Sequence, residues 1–233
     1  MRDSLVNIER YGQGKINRAY YLGGPQLAVK TLNENFKLNI KEYITVDFSQ
    51  MAQVIDAVGG VDIDITESEV MDANISIEEQ AMVAGLPEDY IKSAGLQTLN
   101  GTQAVAYARI RNVGNSDFQR TSRQREVLRK VLNKAVNMDP IKYPAFAKKF
   151  IPIVETSLNL GDIISLAEVL PKKPALEDVR FPTNDDLIGD GSIIVDGEDC
   201  VYFDVESATE KLHKFIYDDI DPTTEADRDS NGQ

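Results

Sequence analysis

Histidine, cysteine and tryptophan are almost missing from this chain: 233 residues hold one His, one Cys and no Trp. With Cys200 alone, an intramolecular disulfide is excluded and a Cys/His zinc site lacks its donors. His213 is the lone imidazole and sits beside the buried side of a C-terminal helix, where a surface or boundary role is the simpler reading than a Ser-His-Asp triad. Long hydrophobic runs are missing too. No apolar stretch approaches the ~18 residues of a membrane span, and Arg2 and Asp3 directly after Met1 exclude a signal peptide, so the chain is expected to be soluble. Positive charge is scarce, with 25 Lys+Arg against 38 Asp+Glu and a net charge of -13. Nucleic acid is therefore excluded as the main partner, because phosphate-backbone binding needs a broad basic surface.

What is present is enough for one large core: 42% of the residues are hydrophobic. No linker or repeat divides the sequence, which points to one domain over residues 1–217. The acidic tail 218–233 has no apolar face and reads as disordered. Turn signals and periodic segments alternate as in an α/β fold. Gly23-Gly24-Pro25 is a turn with proline placed to start a helix buried through Leu27, Ala28, Val29, Leu32 and Phe36. Tyr43 to Phe48 reads as a strand. Met51, Val54, Ile55 and Val58 make a short helix closed by Gly59-Gly60, and Val61, Ile63 and Ile65 alternate with Asp62 and Asp64 as a half-exposed strand. Residues 67–94 look irregular, fit to rim a lipid groove, and the Asn100-Gly101 turn leads into a short helical stretch. Prolines 140, 144 and 152 punctuate more helical sequence. Asp178 to Phe181 reads as a strand, Ile193 to Val195 and Val201 to Phe203 as a hairpin, and Val205, Ala208, Leu212, Phe215 and Ile216 as the face of a last helix.

Against the acidic background, residues 109–130 carry Arg109, Arg111, Arg120, Arg123, Arg125, Arg129 and Lys130 with only Asp117 and Glu126. Guanidinium groups bind phosphate bidentately and stay charged, so this inversion marks an anion site. In Ala-Arg-Ile-Arg an extended backbone would send Arg109 and Arg111 to one face as a clamp. From Asp117 the period turns helical, with Val127, Leu128, Val131, Leu132 and Ala135 as the buried stripe. At about 100° per residue, Arg120 and Gln124 fall on that stripe. An inward polar pair near a helix start is costly unless an anion meets it. Arg123, Arg125, Arg129 and Lys130 read as a solvated face. Other motifs are weaker. Gly12-Gln13-Gly14-Lys15 lacks the spacing of a phosphate-cradling loop and reads as a turn, and Asp62 with Asp64 reads as a solvated strand face rather than a metal pair.

Tyr-Ala-Arg-Ile-Arg (Tyr107 to Arg111) followed by Asp-Phe-Gln-Arg-Thr-Ser-Arg-Gln (Asp117 to Gln124) resembles the LytR-CpsA-Psr family of bacterial cell-wall glycopolymer transferases. Upstream, Arg2 to Val6, Gly14 to Tyr20, Gly23 to Pro25 and Val58 to Ile65 match the family's motifs in order and approximate spacing. The resemblance covers residues 2 to about 217. It implies an α/β domain with a central mixed β-sheet flanked by helices in three layers. The pattern starts almost at its Arg-Asp motif, so the membrane anchor, the first strand or strands and an upstream acidic motif are expected to be missing. That loss would leave a sheet edge open to homodimerisation.

The implied function is transfer of a glycan phosphate from a polyprenyl-pyrophosphate carrier to a peptidoglycan hydroxyl. Its setting is the outer face of the cytoplasmic membrane, most often in a Gram-positive bacterium, with teichoic acid or capsular polysaccharide as the glycan. By match to the motifs, Arg109, Arg111, Arg120 and Gln124 hold the head group, with Lys15 and Arg18 as further contacts. Asp3 corresponds to one of two family aspartates linked to Mg²⁺ and to activation of the hydroxyl. With only one of those aspartates in the chain, binding is expected more firmly than catalysis. The alternatives are a lipid-pyrophosphate phosphatase, which would use water as acceptor, and a non-enzymatic cell-envelope or transcriptional regulator.

Overall fold

The computed structural model describes residues 2–85, 87–114, 116–167, 172, 174 and 176–223; the tail from 224 onward lies outside them. The chain falls into two units, Met1–Tyr43 with Asp178–Gln233, and Ile44–Glu177.

In the first unit, β1 (Leu5–Ile8) pairs antiparallel with β2 (Gly12–Lys15), and Gly12-Gln13-Gly14-Lys15 is thus a strand, with the turn at residues 9–11. Helix α1 (Ile16–Phe36) follows, broken at Gly23 and Gly24, where Gly24 takes φ 66° and Pro25 restarts the helix as its fixed φ allows. At the C-terminal end, β7 (Leu187–Val195) and β8 (Glu198–Phe203) form the expected hairpin and lead into α8 (Val205–Asp218). Residues 178–181 are not a strand; Phe181 is buried by packing of its ring against Phe215, 6.2 Å between centroids. Val6, Ile8, Phe36, Phe203, Ala208 and Leu212 form this unit's core. His213 is the expected boundary residue, half-buried with Nε2 2.8 Å from the Phe36 carbonyl.

The second unit contains α2 (Phe48–Ala57), β4 (Val61–Ile65), α3 (Glu67–Ala84), β5 (Gly95–Leu99), α4 (Gly101–Arg109), α5 (Ser116–Val136), α6 (Tyr143–Phe150) and α7 (Leu160–Ala167). The two-residue strands β3 (Ile44–Thr45) and β6 (Glu155–Thr156) pair with each other. The expected strand Tyr43 to Phe48 shrinks to β3 because Asp47 accepts from Gln50 N–H and caps α2 at Phe48. The mixed α/β class is as expected. Among the described residues the strands hydrogen-bond in four antiparallel pairs, β1–β2, β3–β6, β4–β5 and β7–β8.

A helix fills the middle of the second core. Ala104, Val105, Ala106 and Tyr107 of α4 are all buried, in contact with α2, α3 and α5. Gly101 permits this approach: a Cβ there would overlap the Ala52 carbonyl, and its N–H donates to Asp56 at 2.7 Å. Asn100 and Gln103 form a capping box, so the expected turn at Asn100-Gly101 is a helix start. The largest departure is α3, an 18-residue helix where irregular chain was expected.

Candidate functional site

In the second unit, α3, α4 and α5 place the basic cluster. Helix α4 ends at Arg109, and Ile110 turns the chain with φ -49° and ψ 129°. Arg109 is therefore helical, and it and Arg111 are not the extended pair that two-residue spacing suggested. The Arg109 guanidinium lies 4.6 Å from the Phe48 ring centroid and 3.6 Å from Glu79, an exposed carboxylate that screening makes a weak partner. Its Nε is buried with no acceptor among the described residues. Arg111 is exposed and pairs with no carboxylate among the described residues. Both guanidinium groups can thus receive an anion.

Helix α5 is rotated from its expected setting. Arg120 is buried as expected, at 6% exposure, but Gln124 is exposed and its Nε2 donates weakly to the Ala108 carbonyl at 3.4 Å. Arg123, expected on the solvated face, is buried: Nε donates to Glu69 at 2.8 Å, and Nη2 to the Val113 carbonyl at 3.2 Å and Gln119 at 3.3 Å. Leu128 and Leu132 are exposed, so the buried stripe is Arg120, Arg123, Val127 and Val131. Rotation follows from α3, which offers Glu69 as a buried partner for Arg123 and which periodicity did not find. Burial raises the Glu69 carboxyl, but Thr66, at its backbone and hydroxyl, and Arg123 outweigh that and hold it below the usual range. Tyr107 donates to Glu126 at 2.9 Å, and burial pushes its phenol far up, so it stays protonated.

Asp72 and Glu69 are the site-neighbouring residues that sequence reasoning passed over. The available signal was Thr66-x-x-Glu69, a capping box at the head of α3.

In the first unit, residues 2–4 thread between α1 and β8: the Asp3 carbonyl accepts from Val201 N–H at 2.8 Å, and Ser4 and Arg2 carbonyls from Ile16 and Asn17. The Asp3 carboxylate lies 3.7 Å from Lys15 and 3.9 Å from Arg2. Arg18 folds over Gly14, where a Cβ would stand 3.3 Å from a guanidinium nitrogen. Mg²⁺ would find one carboxylate here with two cations beside it. Among the described residues no group of three His, Cys, Asp or Glu side chains could hold a metal, and Asp3 offers a single carboxylate, whereas Mg²⁺ draws its remaining ligands from water and phosphate oxygens. Asp62 is the expected solvated residue, accepting from Thr98 at 2.6 Å and 3.6 Å from Lys134. Among the described residues no helix is long and apolar enough to cross a membrane.

Comparison with known proteins extends the picture. The LytR_cpsA_psr family model matches residues 1–213. Regulatory protein MsrR of Staphylococcus aureus (strain COL) is 33% identical over 200 residues, covering 79% of this chain and 57% of MsrR. TagV of Bacillus subtilis (strain 168), a polyisoprenyl-teichoic acid–peptidoglycan teichoic acid transferase, is 29% identical over 229 residues, 95% of this chain and 55% of TagV. The chain thus spans little more than half the length of these relatives. Among solved structures, the fold matches YwtF (TagT) with bound octaprenyl pyrophosphate lipid, from B. subtilis, at TM-score 0.64 and 20% identity, over 92% of this chain and 75% of that one.

Proposed function

This chain belongs to the LytR-CpsA-Psr family, and from that membership we propose that it binds a polyprenyl-pyrophosphate-linked glycan and transfers the glycan phosphate to a peptidoglycan hydroxyl. The observation that carries the reading is the end of α4, where Arg109 stacks on Phe48 and, among the described residues, its buried Nε has no acceptor and the exposed Arg111 has no carboxylate partner. The lipid bound to TagT and the transferase name of TagV support the ligand and reaction classes. Arg109 and Arg111 hold the non-bridging oxygens of the pyrophosphate, with Arg120 as a further contact; Gln124, exposed on α5, is at most an outer contact.

In the proposed step the acceptor oxygen attacks the glycan-bound phosphorus, and that phosphorus parts from its bridging oxygen. Polyprenyl phosphate leaves with the electron pair, and the hydroxyl proton passes to a carboxylate. The guanidinium charges stabilise the phosphoryl group as negative charge shifts to the leaving oxygen. Asp3, Lys15 and Arg18 lie in the first unit, and the family resemblance alone carries their part: Asp3 as proton acceptor, Lys15 and Arg18 as phosphate contacts. Asp3 would offer Mg²⁺ one oxygen, and the ion would neutralise phosphate charge. An extracytoplasmic location goes with the peptidoglycan acceptor.

Transfer and hydrolysis part at the product. Incubation with a lipid-linked glycan and peptidoglycan fragments is expected to yield a sugar–phosphate–sugar diester and polyprenyl phosphate, and Asp3→Asn to lose the diester while still binding the lipid. Free glycan phosphate without diester would instead establish the phosphatase.

A further inference from the structure

Asp72 on α3 is buried, at 8% exposure, against the segment that leaves α4. Its Oδ2 accepts from the backbone N–H of Arg111 at 3.1 Å and of Asn112 at 3.3 Å, and its Oδ1 accepts from Asn112 Nδ2 at 2.8 Å. Burial pushes this carboxyl up, but the Asn112 side chain and the two backbone donors outweigh it and leave it below the usual carboxylate range. It is ionised at neutral pH. Consecutive N–H groups converging on one carboxylate oxygen fix the backbone direction at 111–112, between Ile110, which is buried, and Val113, whose carbonyl accepts from Arg123. Helix α3 has other anchors: Ala73 and Ile77 are fully buried, and Glu69 pairs with Arg123. The Asp72 bonds therefore serve the 111–112 segment more than the helix that carries them.

We propose that Asp72 is a positioning residue for phosphate recognition: it sets the backbone from which Arg111 projects, so that the guanidinium meets the head group in one orientation without an ordering cost at binding. The inference rests on the head-group reading above. Asp72→Asn keeps the side-chain size but loses the charge and one acceptor, whereas Asp72→Glu retains both acceptors and is the candidate for rescue.

The test is a calorimetric cycle with farnesyl pyrophosphate and four proteins: wild type, Asp72→Asn, Arg111→Ala and the double variant. Asp72→Asn is expected to weaken binding about tenfold, the scale of one charge-assisted hydrogen bond, but less than about twofold when Arg111 is already alanine. Asp72→Glu is expected to restore part of the loss. Equal factors in both backgrounds, or no loss in either, would overturn the role. Amide hydrogen exchange reads the same device without ligand. The Arg111 and Asn112 amides are expected to exchange about tenfold faster in Asp72→Asn, with those of residues 73–77 unchanged; unchanged Arg111 and Asn112 would sink the proposal. A folded wild type that fails to bind overturns the head-group reading and the role of Asp72 in it, whereas wild-type binding with an additive cycle overturns the role of Asp72 alone.

Discussion

Glu69→Ala is expected to lower stability by about 3–5 kcal/mol, the penalty for leaving one member of a buried ion pair without its partner. The carboxylate does two things at once. Its Oε2 accepts from the Thr66 N–H at 3.0 Å and the Thr66 hydroxyl at 2.9 Å, closing the head of α3, while Oε1 accepts from Arg123 Nε at 2.8 Å. Removal would strand a 6%-exposed guanidinium whose remaining acceptors, Val113 and Gln119, are neutral. It would also remove the reciprocal half of the capping box, while Thr66 stays as the N-cap of α3. Urea unfolding at pH 7 measures the loss, and Glu69→Leu combined with Arg123→Met should recover most of it, since an apolar pair removes the buried charge altogether. A loss under about 1 kcal/mol for Glu69→Ala would mean that Arg123 finds water when its partner is gone.

Asp186→Ala is expected to cost nearly as much, about 3 kcal/mol, and its effect fades in acid. The side chain is 1% exposed in the first unit and accepts from Lys211 Nζ at 2.8 Å, Ser207 Oγ at 2.7 Å, and Thr183 through its N–H at 2.9 Å and hydroxyl at 2.7 Å. These bonds tie α8 to the turn that precedes β7. Burial pushes the carboxyl up, but Lys211, the Thr183 and Ser207 hydroxyls and the Thr183 N–H outweigh it, so it titrates below the usual range. A carboxyl depressed in the folded state contributes its full stability above the unfolded value of about 3.9, and the contribution disappears as pH falls through the lower, folded value. The gap in unfolding free energy between wild type and Asp186→Ala should therefore be flat from pH 7 to about 5 and narrow below about 4. A gap that widened in acid would show that the carboxylate is not favoured by its partners.

Local chemistry decided how much of this was readable from residues. Strand β4 was legible because Val61, Ile63 and Ile65 alternate with solvent-facing aspartates, and α2 because its apolar residues share one face. Helix α3 was not, because its packed side is largely polar, with Glu69, Asp72, Ser76 and Gln80 buried beside Ala73 and Ile77, while Met71, Ile75, Met82 and Val83 are exposed. Hydrophobic periodicity is blind to a helix built that way; its ends were nonetheless written in Thr66-x-x-Glu69 and Gly85. Missing α3 carried over to the site. Without Glu69 to receive it, Arg123 had no reason to turn inward, so the buried stripe of α5 was placed on Leu128 and Leu132 and took Gln124 with it. The basic cluster of residues 109–130 stands out in the sequence because arginine grouped in an acidic chain is conspicuous whatever backbone bears it. The clamp geometry was not, since α4 runs through Arg109.

The most direct test of the head-group claim is calorimetric titration of the wild-type chain and the Arg109→Ala, Arg111→Ala double variant with a short polyprenyl pyrophosphate, with and without Mg²⁺. Saturable wild-type binding, weakened about a hundredfold in a variant that keeps its melting temperature, is the predicted result, because each guanidinium supplies a charge-assisted hydrogen bond on the scale of a factor of about ten. Equal affinity in the two proteins, or no binding by a folded wild type, would contradict it.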